Sequence, residues 1–298
     1  MSDLAEQFAR RADRAGVAVE SLHRMHLLEG VVRRWAISRH ADAFVLGGSL
    51  LTRLWVGVER RTAQDLDFVA LYEHDLDSTL ARFREALAAD AGDGVSYDVA
   101  SLRGEVTWEE TAFRGVRVLF PGQLLGRHSE VRIDLGFDYP LSPPAWRIDY
   151  ACLVGPAVSV QALRPEWMVA WKLNGLFFRG RSRWLPKGLL DLYLLTRHVE
   201  LDVDLLREGI RDAFAATAIP LERILTVVYN RSWWDKAGTR NKWGRFLESC
   251  TYPVPEGLVE VVAQVARGLR PALEQLITIP GQTWPEGEGA ALTTTSGG

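Results

Sequence analysis

Residues Phe44–Phe68 read FVLGGSLLTRLWVGVERRTAQDLDF, and the order of features within them sets what the rest of the chain has to do. An apolar run ending at Leu46 enters Gly47-Gly48, as a buried strand enters a tight turn. Without a Cβ, the two glycines let the backbone take unusual angles and approach a ligand closely. Ser49–Trp55 has helical character, which puts the Gly48 and Ser49 amides near a helix N-terminus, where phosphate is attracted. The same pattern also reads as a ligand-free strand-to-helix connection with Ser49 as N-cap.

Asp65 and Asp67 stand one residue apart in an extended segment, so both carboxylates project to one face while Leu66 and Phe68 point into the core. Two carboxylates held together repel unless a cation lies between them, and hard oxygens suit Mg²⁺ carrying substrate phosphates. Glycine turn, helix, then Asp-x-Asp on the next strand resembles the nucleotidyltransferase superfamily. With Arg61-Thr62 and Asp65-Leu66-Asp67-Phe68, the run Gly47-Gly48-Ser49-Leu50 is similar to the first two motifs of the AbiEii/AbiGii toxin family. That family comprises nucleotidyltransferase-like proteins of bacterial abortive-infection and toxin–antitoxin systems.

Downstream, Val131–Phe137 alternates: its odd-numbered positions are apolar, so Arg132 and Asp134 share the other face. The superfamily resemblance implies a third carboxylate on a neighbouring strand, and Asp134 is so placed. It also reads as an aspartate on the polar face of an edge strand. Tyr97–Ala100, Val106–Trp108 and Val116–Phe120 read as further short strands, and Asp77 as the cap of a helix through Leu87. Residues 3–40 read as helices covering this domain. A Pro-rich passage, YPLSPPAWR, marks a boundary near Val160, beyond which strand signals largely vanish.

Pro165–Phe178 reads as an apolar helix carrying Lys172 in its middle. A lysine so surrounded snorkels or meets an anion, and the toxin-family resemblance implies contact with nucleotide phosphates. Arg179, Arg181, Arg183 and Lys187 form a basic run, which reads as a solvated surface or as a partner for triphosphate or RNA. Lys187 and Asp191 resemble the family's last motif, but Gly188 stands where its first aspartate belongs. Tyr229–Phe246 interleaves aromatic and basic residues, which suits either single-stranded nucleic acid or a tryptophan-rich helix junction. Glu256–Leu276 is an amphipathic helix, and the stretch from Pro280 is a loose tail.

Composition narrows the rest. Lys+Arg 35 against Asp+Glu 38 leaves a net charge of −3, so there is no global pull toward nucleic acid. Cys152 and Cys250 stand far apart with no CxxC or histidine pairing, which argues against zinc and disulfides alike. No apolar core of signal-peptide or membrane-span length occurs, and a cytoplasmic protein with no membrane partner is expected.

The expectation is therefore an α+β, bilobed protein. Residues 1–159 form a mixed-sheet nucleotidyltransferase-fold domain with N-terminal helices, 160–280 a helical domain and 281–298 a tail, with nucleotide in the cleft between the lobes. The resemblance implies Mg²⁺ or Mn²⁺ on Asp65, Asp67 and Asp134. It implies an NTP held by Gly47, Gly48, Ser49, Arg53, Lys172 and Lys187, with Asp134 or Asp191 as general base. Asp65, Asp67, Lys172, Asp191 and Asp134 are then the catalytic set. An RNA acceptor such as a tRNA 3′ end and a cognate antitoxin are the implied partners. A small-molecule acceptor and a catalytically silent nucleotide-binding module are the rivals.

Overall fold

The computed structural model of the chain describes residues 2–109, 113–178, 184–255 and 257–277. The chain divides into two compact units at Leu163/Arg164.

The first unit begins with helices α1 (Ser2–Ala15) and α2 (Val19–Ile37), followed by strand β1 (Phe44–Gly47), helix α3 (Gly48–Val56), β2 (Leu66–Ala70) and α4 (Leu76–Leu87). Strands β3 (Val95–Tyr97), β4 (Arg103–Thr107), β5 (Gly115–Leu124), β6 (Arg127–Gly136), β7 (Trp146–Tyr150) and β8 (Val158–Ala162) complete it. The strands form one mixed sheet in the order β3-β5-β6-β2-β1-β8-β7, with β4 pairing the same strand β5. β2 runs parallel to β6 and β1 parallel to β8, while the hairpin-like pairs are antiparallel.

Period-two alternation sets the faces of the long strands. Val131, Ile133 and Leu135 of β6 and Val116, Val118 and Phe120 of β5 are buried. Their core continues through Trp35, whose ring meets Phe44 edge-on at 4.0 Å, and through Phe44 against Phe68 at 5.6 Å. Such aromatic pairs add about 0.5–1.5 kcal/mol each beyond the area they bury.

Helix α2 is more than a cover. Its apolar residues Leu22, Met25, Leu28, Val31 and Val32 are buried, but so are His26, Glu29, Arg33 and Arg34. A buried charge is tolerable only when paired and hydrogen-bonded. Arg34 reaches Asp93 and the Val95 carbonyl, and Arg33 reaches the Val154 carbonyl at 2.7 Å.

The structure amends the sequence reading in several places. Asp75 caps α4, its Oδ1 accepting from the Ser78 amide at 2.7 Å, so the expected cap Asp77 lies within the helix. Strands β7 and β8 occupy the Pro-rich passage, and the boundary drawn near Val160 falls inside β8. β6 lies between β5 and β2, so Asp134 is on an interior strand rather than an edge.

The second unit is helical throughout its described residues. It comprises α5 (Pro165–Phe178), α6 (Pro186–His198), α7 (Val203–Ala216), α8 (Arg223–Val227), α9 (Arg231–Trp234), α10 (Ala237–Ser249) and α11 (Leu258–Leu276). Leu189, Leu192, Ile210, Phe214, Leu269 and Leu273 form its core. Asp202 caps α7 by accepting from the Asp204 and Leu205 amides, and buried Glu166 on α5 accepts from the Asp202 amide at 2.9 Å. At Gly268 a Cβ would lie 2.4 Å from the Thr196 Cβ, so the glycine lets α11 approach α6.

Trp184, Trp233, Trp234 and Trp243 are buried, and Trp184 packs edge-on against Trp234 at 5.4 Å. The tryptophans of the basic stretch are therefore core, while Phe246 is half-buried. The basic run Arg179–Arg183 and the tail from Pro280 lie outside the described residues. Among the described residues no helix is long and apolar enough to cross a membrane.

Candidate functional site

One row of residues crosses the sheet in register. Glu105 on β4 pairs with Arg117 on β5, Arg117 with Asp134 on β6, Asp134 with Asp67 on β2, and Asp67 with Gly47 on β1. Partners in register present their side chains to the same side of a sheet, so the two carboxylates stand side by side on strands about 4.8 Å apart. Arg132, two residues before Asp134 on β6, shares that side, and Asp65, in the bend just before β2, is held by it.

The glycine turn fits against this row. Gly48 has φ +68, a left-handed conformation that L side chains rarely adopt. A Cβ there would lie 1.8 Å from Asp67 Oδ2, so the close approach of turn and carboxylate also requires glycine. From Gly48 the chain enters α3, whose first amides have no acceptor within the helix. Gly47, not Ser49, is the N-cap residue, and no side chain caps the helix. Ser49 is 6% exposed, and its Oγ has no hydrogen-bond partner among the described residues. A buried hydroxyl left without a partner costs about 1–3 kcal/mol, which an anion at the helix N-terminus would relieve.

The carboxylates differ in their surroundings. Asp65 is 6% exposed and accepts a short hydrogen bond from Arg132 Nη2. Asp134 accepts from Arg117 Nε at 2.7 Å, with Arg132 Nε 3.6 Å from its other oxygen. The bond to Asp134 holds the Arg117 guanidinium above its ordinary range. Sequence reasoning placed Arg132 on the right face and saw the alternation around Arg117, but gave neither a role. Their like spacing on strands next to Asp-x-Asp was the available signal.

These residues bear on a divalent cation as follows. Among the described residues no group of three His, Cys, Asp or Glu side chains is placed to hold a metal ion. Asp134, expected as a third metal carboxylate, is instead engaged by Arg117. Asp65 and Asp67, beside a helix N-terminus with a buried unpartnered hydroxyl, fit a cation that takes two carboxylates and completes its shell with substrate phosphates.

Arg53, expected to bind nucleotide, is directed elsewhere. It is 7% exposed, donates to Glu29 Oε1 at 2.6 Å and bonds the Tyr150 hydroxyl. Glu29 is fully buried and also accepts from the Leu153 amide at 2.8 Å and the Tyr150 hydroxyl at 3.1 Å. Burial raises the Glu29 pKa, and Arg53 acts against that rise. Arg53 is thus the counter-ion of a buried structural carboxylate. Beside it, burial pushes the Cys152 thiol up to about 11, which makes it a poor nucleophile.

In the second unit Lys172 on α5 donates to Asp191 on α6 at 2.7 Å. Asp191 is 2% exposed, enclosed and charge-paired, which contradicts its expected role as general base. The structure brings Lys172 and Asp191 together across two helices. Lys187 is exposed in the first turn of α6.

Residues 31–278 match the family described as the nucleotidyl transferase AbiEii toxin of type IV toxin–antitoxin systems. The chain belongs to this family. As an AbiEii-family protein it is a nucleotidyltransferase, which implies an NTP substrate and a cognate antitoxin. A comparison with curated proteins finds no match. The AbiEii-family chain is similar in fold to the crystal structure of JHP933 from Helicobacter pylori, at 15% identity and a TM-score of 0.54, covering 87% of this chain and 94% of that one. It also aligns with a candidate nucleotidyltransferase from H. pylori at 15% identity and a TM-score of 0.49, over 88% of this chain and 100% of that one. An antigenic nucleotidyltransferase-like protein from Paracoccidioides brasiliensis aligns at 14% identity and a TM-score of 0.39, over 68% of this chain and 96% of that one.

Proposed function

We propose that this AbiEii-family toxin transfers a nucleoside monophosphate from an NTP to a hydroxyl of RNA, such as a tRNA 3′ end, in the cytoplasm, and that a cognate antitoxin restrains it. The observation that carries this reading is the placement of Gly48, the first residue of α3, directly against Asp67, with the unpartnered Ser49 hydroxyl next to it in the chain. Backbone amides and the Ser49 hydroxyl hold the terminal phosphates there. Asp65 and Asp67 hold Mg²⁺ or Mn²⁺, which when bound neutralises phosphate charge and orients the triphosphate. Within the helical unit, Asp191 keeps Lys172 in place.

The acceptor oxygen attacks the α-phosphorus, the bond from that phosphorus to the β-bridging oxygen breaks, and pyrophosphate leaves. The hydroxyl proton passes to a carboxylate on the Asp67 side of the sheet, of which Asp134 is the neighbour in register.

Expression of the wild type beside Asp67→Ala tests the reading in cells, and incubation with labelled NTPs and total RNA tests it in vitro. Growth arrest and labelled RNA are expected from the wild type alone. Label confined to small molecules would remove RNA as acceptor, and equal arrest by both proteins would remove the site.

A further inference from the structure

The guanidinium of Arg132 lies where a cation bound to Asp65 would have to act. Its Nη2 donates to Asp65 Oδ2, and its Nε lies 3.6 Å from Asp134 Oδ2 with no hydrogen-bond partner among the described residues. The two ends of this pair are unlike in exposure. The Asp65 side chain is 9% exposed, so its carboxylate is fixed and poorly hydrated, whereas the Arg132 side chain is 40% exposed. An enclosed carboxylate needs a counter-charge at all times. A half-exposed arginine on a flexible stem can supply that charge and can also withdraw.

We infer that Arg132 is a built-in stand-in for the divalent cation: it neutralises Asp65 while no nucleotide is bound, and gives the carboxylate up when metal and triphosphate enter together. This rests on the nucleotidyltransferase site proposed above. Guanidinium and metal compete for Asp65 Oδ2 and repel each other at that distance, so each weakens the other's hold. The displaced guanidinium lies beside the incoming phosphates, whose oxygens its planar fork matches. Arg132 therefore weakens binding of bare metal and strengthens binding of metal with nucleotide. The site is kept from filling with metal alone, and its charge stays balanced in both states. Arg117, held by Asp134 and Glu105, stays in place when Arg132 moves.

The two effects have opposite signs, which a merely structural arginine would not produce. Mn²⁺ binding is read by electron paramagnetic resonance on the full chain, first with Mn²⁺ alone and then with an α,β-methylene NTP. For Arg132→Gln, Mn²⁺ alone is expected to bind about tenfold tighter than to wild type, equivalent to about 1.4 kcal/mol, while the nucleotide binds more weakly. Circular dichroism checks the fold. Should the glutamine variant not fold, Arg132→Lys, which keeps the charge and loses the fork, carries the comparison with a smaller gain for bare metal and the same loss for nucleotide. Unchanged or weaker Mn²⁺ binding by a folded variant overturns the assignment. Asp65→Asn and Asp67→Asn separate the two layers. If nucleotide-dependent Mn²⁺ uptake by the otherwise wild-type chain survives both changes, the site itself is wrong. If it is lost in both but Arg132→Gln binds bare Mn²⁺ like wild type, only the role of Arg132 falls.

Discussion

Gly48 and Asp67 are packed so closely that no side chain fits between them: a Cβ on Gly48 would lie 1.8 Å from the Asp67 Oδ2. The contact ties the turn that leads into α3 to the carboxylate row on the sheet, and its consequence can be measured. Gly48→Ala must hold alanine at φ +68 and also push Asp67 aside. The left-handed conformation alone costs about 1–2 kcal/mol, and the clash adds to it. Chemical denaturation is expected to show a loss at least this large, together with loss of nucleotide binding. Wild-type binding by the alanine variant would sever turn from carboxylate.

Asp67→Asn and Asp65→Asn are expected to leave the chain folded and to lower nucleotidyl transfer by about 10²-fold or more, the scale of removing one preorganised electrostatic contact from an active site. Rates of pyrophosphate release with purified protein decide this. An Asp65→Asn protein that transfers normally would show that the second carboxylate is not needed.

Glu29 and Arg53 form a buried pair, so Arg53→Met should lower stability by up to about 3 kcal/mol, because the buried carboxylate then keeps only Arg33, 3.5 Å away, as counter-charge. Nucleotide affinity of the folded fraction should be unchanged. Adding Glu29→Leu should recover much of the loss, since the charge left behind is then removed. If Arg53→Met is stable but weak in nucleotide binding, the expected role in binding returns and the structural one falls.

Acid should destabilise the chain through His26. Burial lowers its pKa below the ordinary 6.5, with Arg33 and His23 acting in the same direction and Asp93 against them. His23 is lowered as well, by burial first. The unfolded chain then binds more protons than the folded one just below pH 6.5. Stability is therefore full above pH 6.5 and falls as the pH drops from there toward the folded-state value. His26→Asn should flatten this slope in denaturation curves recorded between pH 7.5 and about 5.5, a window that spans the unperturbed histidine value. An unchanged slope would show that the imidazole is not responsible.

Asp191→Ala should destabilise the helical unit by about 1–3 kcal/mol, as Asp191 is enclosed and its loss leaves Lys172 without the partner it reaches at 2.7 Å. Lys172→Met with Asp191→Leu should restore stability, because neither charge is then left behind. A double variant as unstable as Asp191→Ala would show that the lost ion pair is not the cause.

Much of the site was legible because its information is local. Alternation with period two put Asp65 with Asp67, and Arg132 with Asp134, on common faces before any strand was paired. The Gly-Gly-Ser turn and the helix Pro165–Phe178 were likewise written in nearest-neighbour preferences. Prolines concealed β7 and β8, whose short alternations Trp146–Tyr150 and Val158–Ala162 are masked by their flanks. Arg53 was placed among the nucleotide ligands by resemblance, but its partner Glu29 lies on α2, 24 residues earlier in the chain. For Tyr229–Phe246 the sequence left nucleic-acid binding and a tryptophan-rich helix junction both open, and the buried tryptophans favour the junction, because alternation with basic residues does not say which side chains turn inward.

The sequence by itself determined which side chains share a face and where the backbone must lack a Cβ, since both follow from the geometry of a strand or a turn a few residues long. Tertiary structure alone decided that β6 lies parallel beside β2, so that Asp134 stands next to Asp67, and that guanidinium groups hold Asp65 and Asp134. Strand order and ion pairing depend on which distant segments bury their apolar faces together, and a period-two pattern is the same whichever neighbour the strand meets.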